Sequence, residues 1–179
     1  MDELLIDRLR AGDRQAADTL VESYFDDLYR FFRHLTRDPH EAEDLAQQTL
    51  LRALHGIKGF DGRSRLRTWL HGIAYREFLN WQRGRRILLA LDPRRPHVET
   101  GFEAFADRER LLDAIGRLST KLRTVFLMAE VQELALEEVA AALVLPIGTV
   151  KSRLHEARHR LRQMLADPEL ETAHASETV

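Results

Sequence analysis

The stretch LEEVAAALVLPIGTVKSRLHEARHRL, residues 136–161, decides the architecture of the C-terminal half of the chain. Its first part has the apolar spacing of a short helix, and Val144-Leu145-Pro146 interrupts that helix. A second helix follows, and its apolar face consists of Val150, Leu154, Ala157 and Leu161. Two helices joined by a turn of three or four residues, the second with small polar and basic residues in its first turns, form a helix-turn-helix.

The second helix of this motif carries polar and basic side chains opposite its apolar face. Because the turn holds the two helices at a large angle, the second helix can enter the major groove of DNA. We expect base-edge contacts from Lys151, Ser152, His155 and Glu156. We expect phosphate contacts from Thr149, Arg153, Arg158 and Arg160. The alternative is a solvated helix face without a ligand, and the clustering of the cations favours DNA binding.

The charge distribution supports a nucleic-acid partner although the net charge is −2. Residues 60–96 hold nine Lys/Arg against three Asp/Glu, and residues 146–165 hold five against one. The other segments of the chain are acidic. Two compact basic islands in an acidic chain indicate local phosphate contact rather than general binding of polyanions.

The composition excludes several classes of protein. With 179 residues, 44% of them hydrophobic and 31% charged, the chain is long enough for two small domains and too apolar to be disordered throughout. It has no cysteine, which excludes disulfides and thiolate chemistry and suggests a reducing compartment. Its longest apolar runs, 87–91 and 139–145, are far shorter than the ~20 residues of a membrane-spanning helix, and its acidic start is unlike a signal peptide. We therefore expect a cytoplasmic protein.

The helical pattern continues through most of the chain and predicts an all-α fold of two small helical domains joined by a flexible linker. The boundaries are residues 1–86 for the first domain, 87–106 for the linker, 107–166 for the second domain and 167–179 for an acidic tail. Pro93, Pro96 and Gly101 interrupt the helical pattern in the linker.

Two helices of the first domain are predicted in more detail. In the first helix, Leu4, Leu5 and Leu9 share one face. A later helix runs from about residue 40 to residue 54, with Asp38 as N-cap, a proline at its first position and Glu41 as the capping-box carboxylate. The inward residues of this helix are Ala42, Leu45, Ala46, Thr49, Leu50 and Ala53.

A zinc hydrolase is the alternative from the enzyme class. Residues 155–159 match H-E-x-x-H, which places His155 and His159 on one helix face with Glu156 as general base. The cationic side chains around this segment oppose a divalent cation, and the candidate third ligands lie in the tail: Glu169, Glu171, His174 and Glu177. We expect no catalytic residue, no metal and no cofactor in this chain.

Residues 146–154, followed by Ala157-Arg158 and Leu161-Arg162, resemble the −35-recognition helix of the extracytoplasmic-function (ECF) sigma factors of the sigma-70 family. Segments of the first domain resemble that family's core-binding and −10-recognition region, in the expected order: 28–31, 42–53 and 60–70. Together these segments cover most of residues 18–165.

The resemblance implies a subunit that directs RNA polymerase to promoters and performs no covalent chemistry. A helix surface would dock on the clamp helices of the β′ subunit, through Asp44, Gln47, Gln48, Thr49, Leu51, Arg52 and His55. A loop that captures an unstacked −10 base and the helix after it would supply Phe60, Asp61, Arg63, Ser64, Arg65, Arg67, Arg76, Asn80 and Arg83, with Arg85 and Arg86 beyond them. The implied partners are core RNA polymerase through its β′ and β subunits, promoter DNA and an anti-sigma factor.

Some positions depart from the pattern of the family. Gln48, Leu50 and Leu54 stand where Glu, Phe and Trp are usual, and Arg76, Asn80 and Glu156 also differ, so base preference stays open. In the helix-turn-helix turn, Val144 stands where glycine is frequent. Because a β-branched residue resists positive φ, we expect this turn to be built differently.

Two further alternatives stay open. Tyr75 and Trp81 lie among the basic residues, as stacking platforms for single-stranded DNA do, or they pack within the domain. The chain is alternatively a free-standing helix-turn-helix regulator that binds DNA as a dimer without polymerase, although the −10-like segment 60–69 argues against this.

Overall fold

The computed structural model describes residues 2–91 and 106–166, and within these ranges the regular elements are all helical. The predicted all-α fold is confirmed. The helices are α1 (Asp2–Arg10), α2 (Arg14–Thr36), α3 (Pro39–Gly56), α4 (Leu66–Leu91), α5 (Ala106–Arg117), α6 (Thr120–Phe126), α7 (Leu136–Leu143) and α8 (Ile147–Ala166). A 3₁₀ turn (Ile57–Gly59) follows α3, and a π-helical turn (Leu127–Val131) follows α6. None of the helices in these ranges is long and apolar enough to cross a membrane.

The N-terminal domain consists of α1–α4, and its core includes Phe31 and Phe32 of α2 and Phe78 of α4. α3 buries the six residues that its apolar spacing predicts: Ala42, Leu45, Ala46, Thr49, Leu50 and Ala53. This burial turns the polar side of α3 toward solvent.

The start of α3 agrees with the prediction in part. Asp38 is the N-cap, and its Oδ1 accepts hydrogen bonds from the backbone N–H groups of His40 and Glu41 at 2.9 and 3.2 Å. The Glu41 carboxylate, predicted to complete a capping box, instead accepts a hydrogen bond from the indole N–H of Trp81 at 2.6 Å. The backbone N–H of Asp38 donates to the hydroxyl of Thr36 at 3.2 Å, so this donor is satisfied without Glu41.

The inner face of α1 differs from the prediction, and two helices extend into the predicted linker 87–106. Ile6 and Leu9 are buried, whereas Leu4 is 71% exposed, because a spacing of five residues places Leu4 nearly opposite Leu9 on a helix. α4 continues to Leu91, into the segment predicted as linker, since the first proline after its start is Pro93. α5 begins at Ala106. The rest of the predicted linker, 92–105, and the predicted acidic tail lie outside the described residues.

The C-terminal domain consists of α5–α8, in which α7 and α8 form the predicted helix-turn-helix. α8 buries the four residues of its predicted apolar face, Val150, Leu154, Ala157 and Leu161. Leu118, Leu127 and Met128 belong to the same buried hydrophobic cluster. α8 is therefore fixed on a packed core through one face.

The turn between α7 and α8 contains a strained valine. Val144 has φ 54° and a side chain that is 82% exposed. The N–H of Leu145 donates to the Ala140 carbonyl at 3.0 Å, which closes the end of α7 in the way a left-handed cap does. The expectation of a differently built turn is wrong, since valine here takes the conformation that glycine usually supplies.

The two domains pack against each other, α4 on α7 and α2 on α5. The backbones approach closely at Gly72 of α4, where an added Cβ would lie 3.3 Å from the Ala142 carbonyl oxygen. At the end of α2, Arg37 donates to the Asp113 carbonyl at 3.1 Å, and Arg123 of α6 donates to a carbonyl of α2 at 3.3 Å. Burial, together with Arg37, lowers the pKa of Arg123 to about 10, so it remains a cation at neutral pH.

Candidate nucleic-acid interface

The outer face of α8 carries the residues that we predict to contact bases. Lys151, Ser152 and His155 are exposed, and Glu156 is half-buried. The hydroxyl of Ser152 donates to the Thr149 carbonyl at 3.1 Å, one turn earlier in the helix. Because these side chains follow one exposed face of the second helix of the motif, they are placed to meet base edges when α8 enters a major groove.

Two of the arginines predicted to contact phosphate are paired with carboxylates in this conformation. Arg158 Nε donates to Glu130 Oε1 at 3.1 Å, and Arg160 Nε donates to Glu156 Oε1 at 2.6 Å. Arg153 is half-buried. A phosphate bound by Arg158 or Arg160, as we predict, would have to compete with these carboxylates.

The H-E-x-x-H match gains no support from the geometry. Within the part of the chain that the structure describes, no group of three or more His, Asp or Glu side chains is placed to hold a metal ion. The candidate third ligands in the tail lie outside the described residues.

The predicted −10 segment begins as a loop between the 3₁₀ turn and α4. Asp61 and Arg63 are exposed, and Asp61 Oδ1 accepts a hydrogen bond from the Arg63 backbone N–H at 3.1 Å. Gly62 has φ 73°, a conformation that glycine adopts without strain. Phe60, predicted to contact DNA, is buried with its ring 5.1 Å from that of Trp69. In this conformation Phe60 anchors the loop and Asp61 and Arg63 form its exposed tip.

Along α4, the exposed residues of the predicted −10 surface are Arg76, Asn80 and Arg83. Trp81 packs within the domain: its ring stacks on Phe78 with centroids 5.6 Å apart, and the Arg85 guanidinium lies 5.2 Å from its centroid. Its indole N–H is also bonded to α3. Tyr75 is half-buried against the core. These contacts favour packing over base stacking for Trp81.

The first turn of α4 makes polar contacts with the C-terminal domain. Arg67 Nη2 donates to Gln132 Oε1 at 3.0 Å, and the Thr68 hydroxyl donates to Glu138 Oε1 at 2.8 Å. Arg65 Nε lies 3.8 Å from the same carboxylate oxygen. We call these five residues the interdomain polar contact. It places Gln132 on Arg67 and Glu138 near Arg65, and we predict that both of these arginines contact the −10 element.

The electrostatics of this contact favour charged partners. Burial acts to raise the pKa of the Glu138 carboxyl, but hydrogen bonds from the Ala135 N–H and Thr68, with Arg65 nearby, bring it below its ordinary value. Arg67 is also held within its own domain, where its Nε donates to Asp27 Oδ2 at 2.9 Å. Sequence reasoning missed these partners of Arg67 and Thr68, because a distant partner leaves no local pattern in the sequence.

Comparison with known proteins gives a family match for each of the two domains. The family description Sigma-70 region 2 matches residues 20–87, and Sigma-70, region 4 matches residues 108–161. The ECF RNA polymerase sigma factor SigW of Bacillus subtilis is 30% identical, over 90% of this chain and 95% of SigW. The RNA polymerase sigma-E factor of Streptomyces avermitilis is 33% identical, over 89% of this chain and 90% of that protein. The chain belongs to the ECF sigma factors of the sigma-70 family.

A solved structure supports the same family. The sigma factor RpoE in complex with the anti-sigma factor NepR from Bartonella quintana is 26% identical, with a TM-score of 0.72 over 84% of this chain and 97% of that one. As a sigma factor, the protein is a transcription initiation factor that binds core RNA polymerase and promoter DNA, and it is not an enzyme.

The surface of this sigma factor that we predict to bind polymerase lies on α3. The predicted residues exposed there are Asp44, Gln47, Gln48, Leu51, Arg52 and His55. Leu51 is 55% exposed, an apolar side chain among polar ones. Thr49 is fully buried and its hydroxyl donates to the Leu45 carbonyl at 2.7 Å, so in this conformation it lies beneath this surface. Arg52 Nε is 2.9 Å from Glu77 Oε1 and links α3 to α4.

Proposed function

We propose that this sigma factor works in the cytoplasm and recognises promoters with two separate surfaces. α8 enters the major groove at the −35 element, and the loop before α4 together with α4 as far as Arg83 binds the −10 element. The observation that carries this proposal is the exposed face of α8, where Lys151, Ser152 and His155 lie together over a buried apolar face. The alternative of a dimeric regulator without polymerase has no comparable observation in its favour.

The exposed face of α3 is the surface that we propose for core polymerase. An exposed leucine surrounded by polar and charged residues is typical of a helix that receives a partner helix, because the apolar contact adds burial and the polar rim adds specificity. Asp44 and Gln47 flank this leucine on the same exposed face.

The packing of the two domains against each other supports a closed form of the free protein, in which the domains have to separate before promoter binding. The positions that give the −35 and −10 elements their names are about 25 base pairs apart; at about 3.4 Å per base pair this is roughly 85 Å of duplex. In this structure Arg67 of the proposed −10 surface is hydrogen-bonded to Gln132, and its neighbour Thr68 is hydrogen-bonded to Glu138 of the helix-turn-helix. The two surfaces cannot reach both elements from this position, so promoter binding requires the domains to separate.

The closed arrangement is also a form that an anti-sigma factor could bind. The solved RpoE chain that is similar to this one was crystallised with its anti-sigma factor NepR, and the similarity spans 84% of this chain, more than either domain alone. We propose that a protein of this kind binds the closed form and keeps the sigma factor silent.

Transcription with purified core polymerase on a promoter library randomised at −35 and −10 tests the proposal. We expect transcripts only with both proteins and enrichment of one sequence at each element. Lys151→Ala should relax the preference at −35 and leave that at −10 unchanged. Binding of the free protein to the same DNA as a dimer, with no effect of polymerase, would instead support the free-standing regulator.

A further inference from the structure

The N-terminal helix α1 lies outside the part of the chain that matches Sigma-70 region 2, which begins at residue 20. Ile6 and Leu9 of α1 are buried in the N-terminal domain, and α1 contacts both α2 and the 3₁₀ turn before the −10 loop. α1 is therefore held firmly next to the start of this loop.

Arg10, the last residue of α1, makes a hydrogen bond to the loop itself. Its Nη2 donates to the Phe60 carbonyl at 2.6 Å, across a separation of fifty residues in sequence. Its Nη1 lies 3.3 Å from Asp7 Oδ1, so the guanidinium is oriented by a carboxylate one turn earlier in α1. A charged donor makes a stronger hydrogen bond to a carbonyl than a neutral one does.

The bond of Arg10 fixes the point from which the exposed loop departs. The Phe60 ring packs against Trp69, and the Phe60 N–H donates to the Ile57 carbonyl at 3.1 Å. The ring, the N–H and the carbonyl of this residue are thus all held. Beyond it the chain bends through Gly62, with φ 73°, before α4 begins. The direction of the tip therefore depends on the orientation of the peptide group after Phe60.

We propose that Arg10 is a positioning residue for −10 recognition, which it serves by fixing the Phe60 carbonyl and with it the direction of the loop that carries Asp61 and Arg63. This inference rests on the proposed function of the loop. Arg10 itself does not touch DNA in this role, so its effect is on the discrimination between −10 sequences and on strand opening, and not on recruitment of polymerase.

The test compares Arg10→Ala with Arg8→Ala in the full-length protein with core polymerase. Arg8 is the matched control: it lies on the same helix, its side chain is 42% exposed against 39% for Arg10, and it pairs with Asp13 rather than with the loop. We expect Arg10→Ala to lower the ratio of open complexes on the preferred −10 sequence to those on single-base variants by about tenfold. Arg10→Lys, which keeps a charged donor, should recover part of this ratio.

Core binding, the preference at −35 and the thermal unfolding midpoint should be the same for Arg10→Ala and Arg8→Ala. An unchanged −10 ratio in Arg10→Ala would overturn the proposal, and so would an equal loss in Arg8→Ala. Equal loss of transcription on every −10 sequence, with a lowered unfolding midpoint, would make the bond merely structural. Failure of the wild-type protein to select any −10 sequence would instead contradict the proposed function of the loop.

Discussion

Replacement of Gly72 by leucine should drive the two domains apart. A Cβ at this position would lie 3.3 Å from the Ala142 carbonyl oxygen and 3.6 Å from its Cα, so the further atoms of leucine meet the backbone of α7. Overpacking of this kind costs about 1–3 kcal/mol, which changes the ratio of closed to open molecules by about five- to 150-fold. Within α4 alone, leucine is a better helix former than glycine, by somewhat less than the roughly 0.8–1 kcal/mol that separates alanine from glycine, so we expect the N-terminal domain itself to stay folded.

Energy transfer between two fluorophores measures this opening. The chain has no cysteine, so cysteines introduced at the exposed positions Glu22 and Gln163 are labelled without background. We expect a clear loss of transfer in Gly72→Leu and a smaller one in Gly72→Ala. Gly84→Leu is the matched control, because it changes the same helix at a position where an added Cβ meets no described atom within 4 Å.

Equal transfer efficiency in wild type and Gly72→Leu would refute the reasoning, as would an equal change in Gly84→Leu. The same variants connect opening to function. Because we propose that the domains separate before both promoter elements are reached, we expect Gly72→Leu to bind a promoter with core polymerase faster than wild type does. It should also bind less well to any partner that recognises the closed form.

Three further predictions concern the turn, the core and the recognition helix. Val144→Gly should raise the free energy of unfolding by up to about 1 kcal/mol in urea titrations. The left-handed conformation costs an L residue about 1–2 kcal/mol, whereas glycine loses about 0.5–1 kcal/mol of stability because its unfolded backbone is more flexible. A lower free energy of unfolding in Val144→Gly would contradict the strain. Burial lowers the pKa of His71, so the unfolded chain takes up the proton first, and stability should fall as the pH drops below the ordinary histidine pKa of about 6.5. His71→Gln should flatten this dependence. Lys151→Ala should cost about 1–3 kcal/mol of discrimination at one −35 position, whereas Arg158→Ala should weaken all promoters and lower the salt slope by about one in filter-binding titrations.

Periodicity along the chain predicted the parts of the fold that depend on neighbours in sequence. The buried faces of α3 and α8 agree residue by residue with the apolar spacing, because a helix repeats its inner face every three or four residues. The N-cap of α3 was predictable for the same reason, since Asp38 bonds to N–H groups only two and three residues away.

Contacts between distant segments were not predictable in this way. Glu41 has the spacing of a capping-box residue, yet its carboxylate bonds to Trp81, forty residues away. The left-handed Val144 shows that local preference is overridden when two packed helices fix the turn between them. Gln132 and Glu138 looked like ordinary polar residues until the domain packing placed them on Arg67 and Thr68.

The acidic character of this sigma factor has a structural explanation in the salt bridges. Four carboxylates pair with, or lie near, cations that we predict to contact DNA: Asp27 with Arg67, Glu138 near Arg65, Glu130 with Arg158 and Glu156 with Arg160. Glu156 belongs to α8 itself, and the other three come from acidic segments of the chain. The basic islands are therefore partly neutralised within the closed chain, and DNA has to compete with carboxylates that are always present at high effective concentration. Binding of the free protein to duplex DNA should be weak for this reason. Separation of the domains removes Glu138 from the −10 surface but leaves Glu130 beside α8, so opening strengthens binding at −10 more than at −35.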